Sequence, residues 1–278
     1  MRYISYEFAT SDEAARQLLI GVLAEVGFDS FEERTGILAA FVAADAERPT
    51  VIAEALQQYG LAEVPVRKEV MEQQNWNATW ESQFQPVMIA GRVGIRAPFH
   101  QPLGAEYELV IEPKMSFGTG HHATTALMVE AMLDVPMQGA SVLDFGSGTG
   151  VLAILAAKLG VKRAVAIDHE EWAAENAREN AERNDVAAPI EVILGDDNFT
   201  WNETFDHVFA NVNRRVILPN LNNWEKLLRS GGHLLLSGIL TADEADVLEA
   251  ATAAGFRPQR VLRKDGWIMI EVKKDKQG

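Results

Sequence analysis

An α/β chain in two parts is predicted. A small amino-terminal unit of β-α-β-β-α-β order is followed by a larger unit on an open, mostly parallel sheet. Three observations predict it. A glycine-rich turn, Gly146, Gly148 and Gly150, stands between the apolar run Val142-Leu143 and a helical pattern that starts at Val151. Strand and helix patterns then alternate as far as residue 254, which is the signature of parallel strands joined by helical crossovers. Residues 1–70 complete an alternation of their own before an aromatic segment intervenes.

Composition narrows the class. The chain has 278 residues, enough for one large or two modest domains, and 47% of them are hydrophobic. No apolar run reaches the roughly 18 residues of a membrane span, and no basic, apolar, small-residue leader opens the chain. No membrane contact and a cytoplasmic location are therefore expected. Cysteine is absent, which excludes disulfides, thiolate metal sites and a cysteine nucleophile. The net charge is −15, from 25 basic and 40 acidic residues. Nucleic acid is repelled by such a balance, so no direct nucleic-acid binding is expected, and a basic protein partner fits better.

In the amino-terminal unit, Tyr3 to Phe8 alternates as a strand. Ser11 is placed to cap a helix running to Val26, with Asp12 and Glu13 in its first turn. Residues 28–33 and 37–43 read as a hairpin about Thr35-Gly36. Pro49 opens a second helix, Gly60 stops it, and 64–70 is the last strand. This order is that of a split βαβ sandwich. Eleven acids against Arg2, Arg16, Arg34 and Arg48 give residues 1–66 about half the net charge. No catalytic constellation lies here, and a dock for a basic protein is the functional expectation.

Residues 71–86 are expected to form a linker helix, with Trp76, Trp80 and Phe84 on one face by their four-residue spacing. Residues 87–112 read as short strands around Pro98 and Pro102. The stretch from Thr119 to Thr125 gathers hydroxyls and imidazoles just ahead of a helix that runs to about Leu133. Neighbours such as His121 and His122 do not easily share one ion, and no carboxylate lies within four positions, so no metal is expected. Thr124 or Thr125 is placed to cap the helix, and the loop is placed to close over a ligand.

Two ligand classes use a turn such as 146–150. A dinucleotide site needs its third glycine one position later, where Val151 stands. Asp144, two residues before the first glycine, repels a pyrophosphate but suits an ammonium. S-adenosylmethionine carries an ammonium and a sulfonium and no phosphate. Asp168 closes the next apolar run, where an acid accepts from ribose hydroxyls, and Asp196 follows the third strand, where an acid meets an adenine amino group. The fourth strand, 207–210, ends at Asn211, which falls at the same carboxyl edge. A helix over 218–228 ended by Ser230-Gly231-Gly232, a strand over 233–237, a helix over 242–254 and a closing hairpin complete the pattern. Seven strands in this order make a class I, Rossmann-like methyltransferase sheet.

Several stretches together resemble the PrmA family, methyltransferases of the eleventh protein of the large ribosomal subunit. They are Phe117-Gly118-Thr119-Gly120 with His122, Thr124 and Thr125; Asp144-Phe145-Gly146-Ser147-Gly148-Thr149-Gly150; Asn211; and Ser237-Gly238-Ile239-Leu240. The likeness spans nearly the whole chain. It implies a substrate-recognition domain over 1–70, a linker helix over 71–86 and a catalytic domain over 87–278. It implies that Thr125, Gly146, Asp168 and Asn211 contact S-adenosyl-L-methionine, to which the turn itself adds Asp144 and Gly148. It further implies trimethylation of lysine side chains and of an amino-terminal amine on a basic ribosomal protein. Asn211 is the expected catalytic residue, through alignment of the acceptor amine. The chain departs from the family where Val212, Asn213 and Arg214 follow Asn211, and at His121 and Ala123. Asn211-Val212-Asn213-Arg214 also lacks the Asn/Asp-Pro-Pro-Tyr of enzymes that methylate planar nitrogens. Methylation of another amine or a small molecule, and non-catalytic cofactor binding by an assembly factor, are the alternatives.

Overall fold

The computed structural model describes residues 3–71, 85–112, 114, 118, 120–196 and 201–275. The expected aromatic helix with Trp76, Trp80 and Phe84 lies outside the described residues, as do Phe117 and Thr119. The chain divides into two compact units, Met1–Ser82 and Gln83–Gly278.

In the first unit, β1 (Tyr3–Ala9), β2 (Ser30–Arg34), β3 (Ile37–Ala43) and β4 (Val66–Met71) form a sheet in the order β2-β3-β1-β4. All its pairings are antiparallel, which is the split βαβ arrangement. Helices α1 (Glu13–Glu25) and α2 (Pro49–Gln58) complete it. Alternation along β1 buries Ile4, Tyr6 and Phe8 together with Leu19, Leu23 and Leu38. Asp12, not Ser11, caps α1, its carboxylate accepting the Ala14 N–H at 3.0 Å. A charged acceptor on the helix amino terminus outcompetes the hydroxyl one position earlier.

The second unit opens with β5 (Val87–Ile89), β6 (Val93–Arg96) and β7 (Tyr107–Val110), a three-stranded sheet. After it come α3 (Ala123–Met132), β8 (Ser141–Phe145), α4 (Val151–Lys158), β9 (Arg163–Asp168), α5 (Glu171–Arg183), β10 (Ile190–Leu194), β11 (Phe205–Asn211), α6 (Arg214–Leu227), β12 (Leu228–Leu240), α7 (Glu244–Ala253), β13 (Phe256–Lys264) and β14 (Trp267–Lys274). The seven strands lie in the order β10-β9-β8-β11-β12-β14-β13. The first five pair in parallel and the last hairpin is antiparallel.

Every residue of β8 is buried, as a central strand covered on both faces requires. Strand order reverses between β8 and β11, so the carboxyl ends of β8, β9 and β11 open on one crevice. Trp224 of α6, 1% exposed, stands edge-on to Phe145 of β8 at 5.4 Å and locks the helix beneath the strand that leads into the turn.

Two boundaries differ from expectation. Helix α6 starts at Arg214, four residues before Leu218, because Asn213 accepts the Val216 N–H at 3.2 Å and caps it. Pro219 is therefore inside the helix, where it removes one backbone bond without ending it. Strand β12 starts at Leu228 and includes Ser230-Gly231-Gly232. A register irregularity between Phe205 and His207 absorbs that stretch, and Gly231 takes a φ of +78°.

Trp224→Ala removes a fully packed ring from under β8 and is expected to cost about 3–5 kcal/mol, read as a lower urea midpoint at an unchanged slope. A loss under 1 kcal/mol shows that α6 is not anchored by that ring.

Candidate functional site

The glycine turn is left-handed at three alternate residues, with φ of +70° at Gly146, +53° at Gly148 and +77° at Gly150. Side chains rarely adopt such angles. The space is closed as well. A Cβ on Gly146 lies 2.4 Å from Val212 Cγ1, and one on Gly238 lies 2.3 Å from the Val212 carbonyl oxygen. Val212 is thus wedged between two glycines. That packing accounts for the residue after Asn211 and for the glycine after Ser237.

Four N–H groups of the turn are occupied. Those of Gly146 and Ser147 donate to Ile167 O at 2.9 and 3.1 Å, and that of Gly150 to Ser147 O at 2.8 Å. Gly148 donates to Asp168 Oδ2 at 2.8 Å. At the start of α4, the Ala153 N–H donates to Asp144 Oδ2 at 3.1 Å. A carboxylate already sits where a phosphate binds on a helix terminus. The turn is therefore no phosphate cradle, and a dinucleotide does not fit it.

A cationic ligand without phosphate does. Asp144 is 1% exposed, and no lysine or arginine among the described residues pairs with it or with Asp168. Burial, and secondarily the nearby Asp168, push the Asp144 carboxyl up to about 7 despite the Ala153 N–H. Asp168, at the end of β9, accepts from Gly148 on one oxygen and from the Glu170 N–H at 3.1 Å on the other. Oδ2 keeps a lone pair for a ribose hydroxyl, while Oδ1 also lies 3.5 Å from His169 Nδ1. Among the described residues the buried Ser147 hydroxyl has no hydrogen-bond partner, a demand that a polar ligand satisfies. These features fit S-adenosylmethionine.

Asn211 ends β11 opposite Ser237 of β12, and its amide N–H donates to Thr125 Oγ1 at 3.3 Å. That bond joins the fourth strand to the first turn of α3. Among the described residues the Asn211 amide oxygen has no hydrogen-bond partner. The cap of α3 is His122, not Thr124 or Thr125: its Nδ1 accepts the Thr124 N–H at 3.4 Å and lies 2.8 Å from the Thr124 hydroxyl. Its ring stands edge-on to Trp267 at 4.7 Å, and desolvation pushes its pKa down to about 4, so it is neutral at pH 7. His121 Nε2 lies 2.6 Å from the Gln85 carbonyl oxygen, so the two adjacent imidazoles serve different partners. Asp196 is exposed beyond β10, next to Gly195, which donates its N–H to Asp168 O at 2.8 Å.

Asn213 and Arg214 prove structural in their contacts. Asn213 caps α6, and Arg214 reaches Asp246 of α7 at 2.7 Å. Sequence reasoning missed Ser147 and Thr149. Thr149 is fully buried, and its hydroxyl donates to Gly118 O at 2.8 Å, tying the threonine–histidine stretch to the turn. The signal was available: both are hydroxyls inside a turn otherwise made of glycine. A cavity of about 330 Å³ lies at the opposite edge of the sheet, lined by Asp206, Arg229 and His233 among others. The Arg229 guanidinium is already spent on both Asp206 oxygens at 2.8 Å, and the turn is not part of that cavity.

The family model described as ribosomal protein L11 methyltransferase (PrmA) matches residues 9–275. The chain belongs to the PrmA family. A ribosomal protein L11 methyltransferase of Porphyromonas gingivalis is 37% identical, over 99% of each chain. One of Bacteroides fragilis is 35% identical, over 98% of this chain and 99% of the other. Among solved structures, a ribosomal protein L11 methylase of Lactobacillus delbrueckii superposes with a TM-score of 0.62 at 24% identity, covering 69% of this chain and 100% of that one. That likeness supports the class I methyltransferase fold. The protein is an S-adenosylmethionine-dependent methyltransferase, the cofactor class that the turn had selected on physical grounds.

The Asp144 shift has a measurable sign. Without ligand the carboxyl holds its proton up to about pH 7. A bound cation favours the carboxylate, so binding releases that proton, and affinity rises with pH below 7 by up to about tenfold per unit. Calorimetry between pH 5.5 and 7 avoids the ligand's own α-amine, which titrates near 7.7–8.0. The slope is expected in the native protein and absent in Asp144→Asn. A flat profile in the native protein excludes a cation beside Asp144.

Proposed function

We propose that this chain methylates lysine side chains and an amino-terminal amine of a large-subunit ribosomal protein, ribosomal protein L11, on which its relatives are named as acting. The observation that carries the proposal is Asn211, set at the carboxyl edge of the sheet with its amide nitrogen bonded to Thr125 and its amide oxygen without a hydrogen-bond partner among the described residues. In this proposal Thr125, Asp144, Gly146, Gly148, Asp168 and Asn211 hold the cofactor, and Asp196 lies toward the base. When bound, S-adenosylmethionine supplies an electrophilic methyl group on a sulfonium.

The acceptor must present a lone pair. A lysine of ordinary pKa, about 10.4, is neutral in only about one molecule in two thousand at pH 7. The crevice favours the neutral amine by desolvation, and the Asn211 oxygen accepts an amine N–H and turns the lone pair toward the methyl. The neutral His122, with Nδ1 engaged by Thr124, is not set up to take the proton there. Proton loss to water precedes transfer, and the residues of the site act by alignment rather than as a strong base.

Residues 1–70 are proposed to recognise the substrate. Their excess of acids over arginines matches a basic ribosomal protein, and they carry no catalytic cluster. The linker over 71–86 is proposed to join that unit to the catalytic domain over 87–278. A cytoplasmic location follows from such a substrate. Among the described residues no helix is long and apolar enough to cross a membrane.

Two outcomes test the proposal. Asn211→Ala is expected to lower the single-turnover rate by about 100-fold at saturating cofactor, with a melting temperature close to that of the native protein. Full recovery of rate at high cofactor removes the alignment role. A fragment starting at residue 87 is expected to bind S-adenosylmethionine by calorimetry and to fail to transfer label to isolated ribosomal protein. Label transfer at the full-length rate assigns recognition to the catalytic unit instead.

A further inference from the structure

Helix α5 and its carboxyl-terminal cap carry three buried asparagines, Asn176, Asn180 and the cap residue Asn184, at four-residue spacing. Asparagine is a poor interior helix residue, and a buried amide must find partners. Asn184 clamps one residue of β7 in both directions, accepting the Val110 N–H at 2.9 Å and donating to Val110 O at 2.7 Å. Asn180, with no exposed surface, does something different. Its oxygen accepts the Glu112 N–H at 2.8 Å, and its nitrogen donates to Thr149 O at 3.0 Å. Arg183 donates to the same oxygen at 3.1 Å, and Asn176 Oδ1 receives the same amide nitrogen at 3.3 Å.

One side chain therefore bonds the backbone of the glycine turn and the backbone that leads out of β7 toward the threonine–histidine stretch. The Thr149 hydroxyl makes a second tie, to Gly118 O at 2.8 Å. The Thr149 carbonyl belongs to the same peptide plane as the Gly150 N–H, which donates to Ser147 O at 2.8 Å. Holding that carbonyl fixes the plane, and with it the left-handed turn around Gly148 and Gly150. Helix α5 approaches close enough to do so because a Cβ on Gly150 lies only 3.1 Å from Ala177 Cβ. We propose that Asn180 is a positioning residue for cofactor binding, setting the glycine turn against the segment that enters the Thr125 region. It acts through Thr149 and Glu112 and touches no ligand. The proposal rests on the turn being the S-adenosylmethionine site.

The test compares Asn180→Ala, Asn180→Asp and Asn184→Ala in the full chain. Asn180→Asp keeps an acceptor for Glu112 but sets a carboxylate oxygen against the Thr149 carbonyl. Asn184→Ala removes a clamp of the same kind, at the cap of the same helix, that does not reach the turn. S-adenosylmethionine affinity is read by calorimetry, turn mobility by amide exchange over residues 146–150 without ligand, and folding by thermal melts. Both Asn180 variants are expected to weaken binding by about tenfold or more and to speed exchange in the turn. Asn184→Ala is expected to stay within about twofold of the native affinity at a similar loss of melting temperature. The proposal is overturned if Asn180→Asp, folded, binds within twofold of the native protein. It is equally overturned if Asn184→Ala loses as much affinity as the Asn180 variants. Native protein that fails to bind S-adenosylmethionine at all refutes the cofactor site itself, a result distinct from either.

Discussion

The hydrogen bond from the Ala153 N–H to the Asp144 carboxylate is the contact on which the site's chemistry depends. It places a carboxyl oxygen of the protein's own on the amino terminus of α4, and a bound cation favours its ionised form. Helix termini attract anions, and here the position is filled from within. A ligand must then approach a turn four of whose N–H groups are already committed to Ile167, Ser147 and Asp168. The same architecture that elsewhere holds a pyrophosphate is converted into a site that asks for a cation. Asp144 and Asp168 are both buried and, among the described residues, pair with no lysine or arginine, and burial with the nearby Asp168 pushes the Asp144 carboxyl up.

Glycine makes the geometry possible, and its partners make it rigid. Val212 fills the space that a side chain on Gly146 or Gly238 would take, and Ala177 does the same at Gly150. The carboxyl ends of β8, β11 and β12 are thereby locked together. Asn211, one residue before Val212, inherits its position from that packing. Its bond to Thr125 then carries the position across to α3. An amide held on two rigid elements can align an acceptor without acting as a base, which is the role proposed for Asn211, and alignment alone is worth several orders of magnitude in rate.

Much of this was legible in the sequence because it rests on local rules. Alternation gave the strands, and the spacing of Asp144, the glycines and Asp168 named the ligand class before any distance was known. Failures fell where two local signals competed. Ser11 and Asp12 both cap helices, and charge decided for Asp12. The helix expected from Leu218 starts at Arg214 instead, because Asn213 caps it, and Pro219 is tolerated inside it. His122 was weighed as a ligand and Thr124 as a cap, whereas the imidazole accepts from the threonine. The ties of Thr149 to Gly118 and of Asn180 to Thr149 join segments far apart in the chain, and no local pattern specifies the partner of a buried amide.

The central claim is that the carboxyl-edge crevice, and not the cavity at the opposite edge of the sheet, receives S-adenosylmethionine. Amide hydrogen exchange of the full chain with and without S-adenosylhomocysteine, resolved to single residues, tests it directly. The account predicts added protection at Gly146–Gly150, around Asp168–Glu170 and at Asn211, with none at 138–140 or 229–233. Protection confined to 138–140 and 229–233, with the glycine turn unchanged, would contradict it.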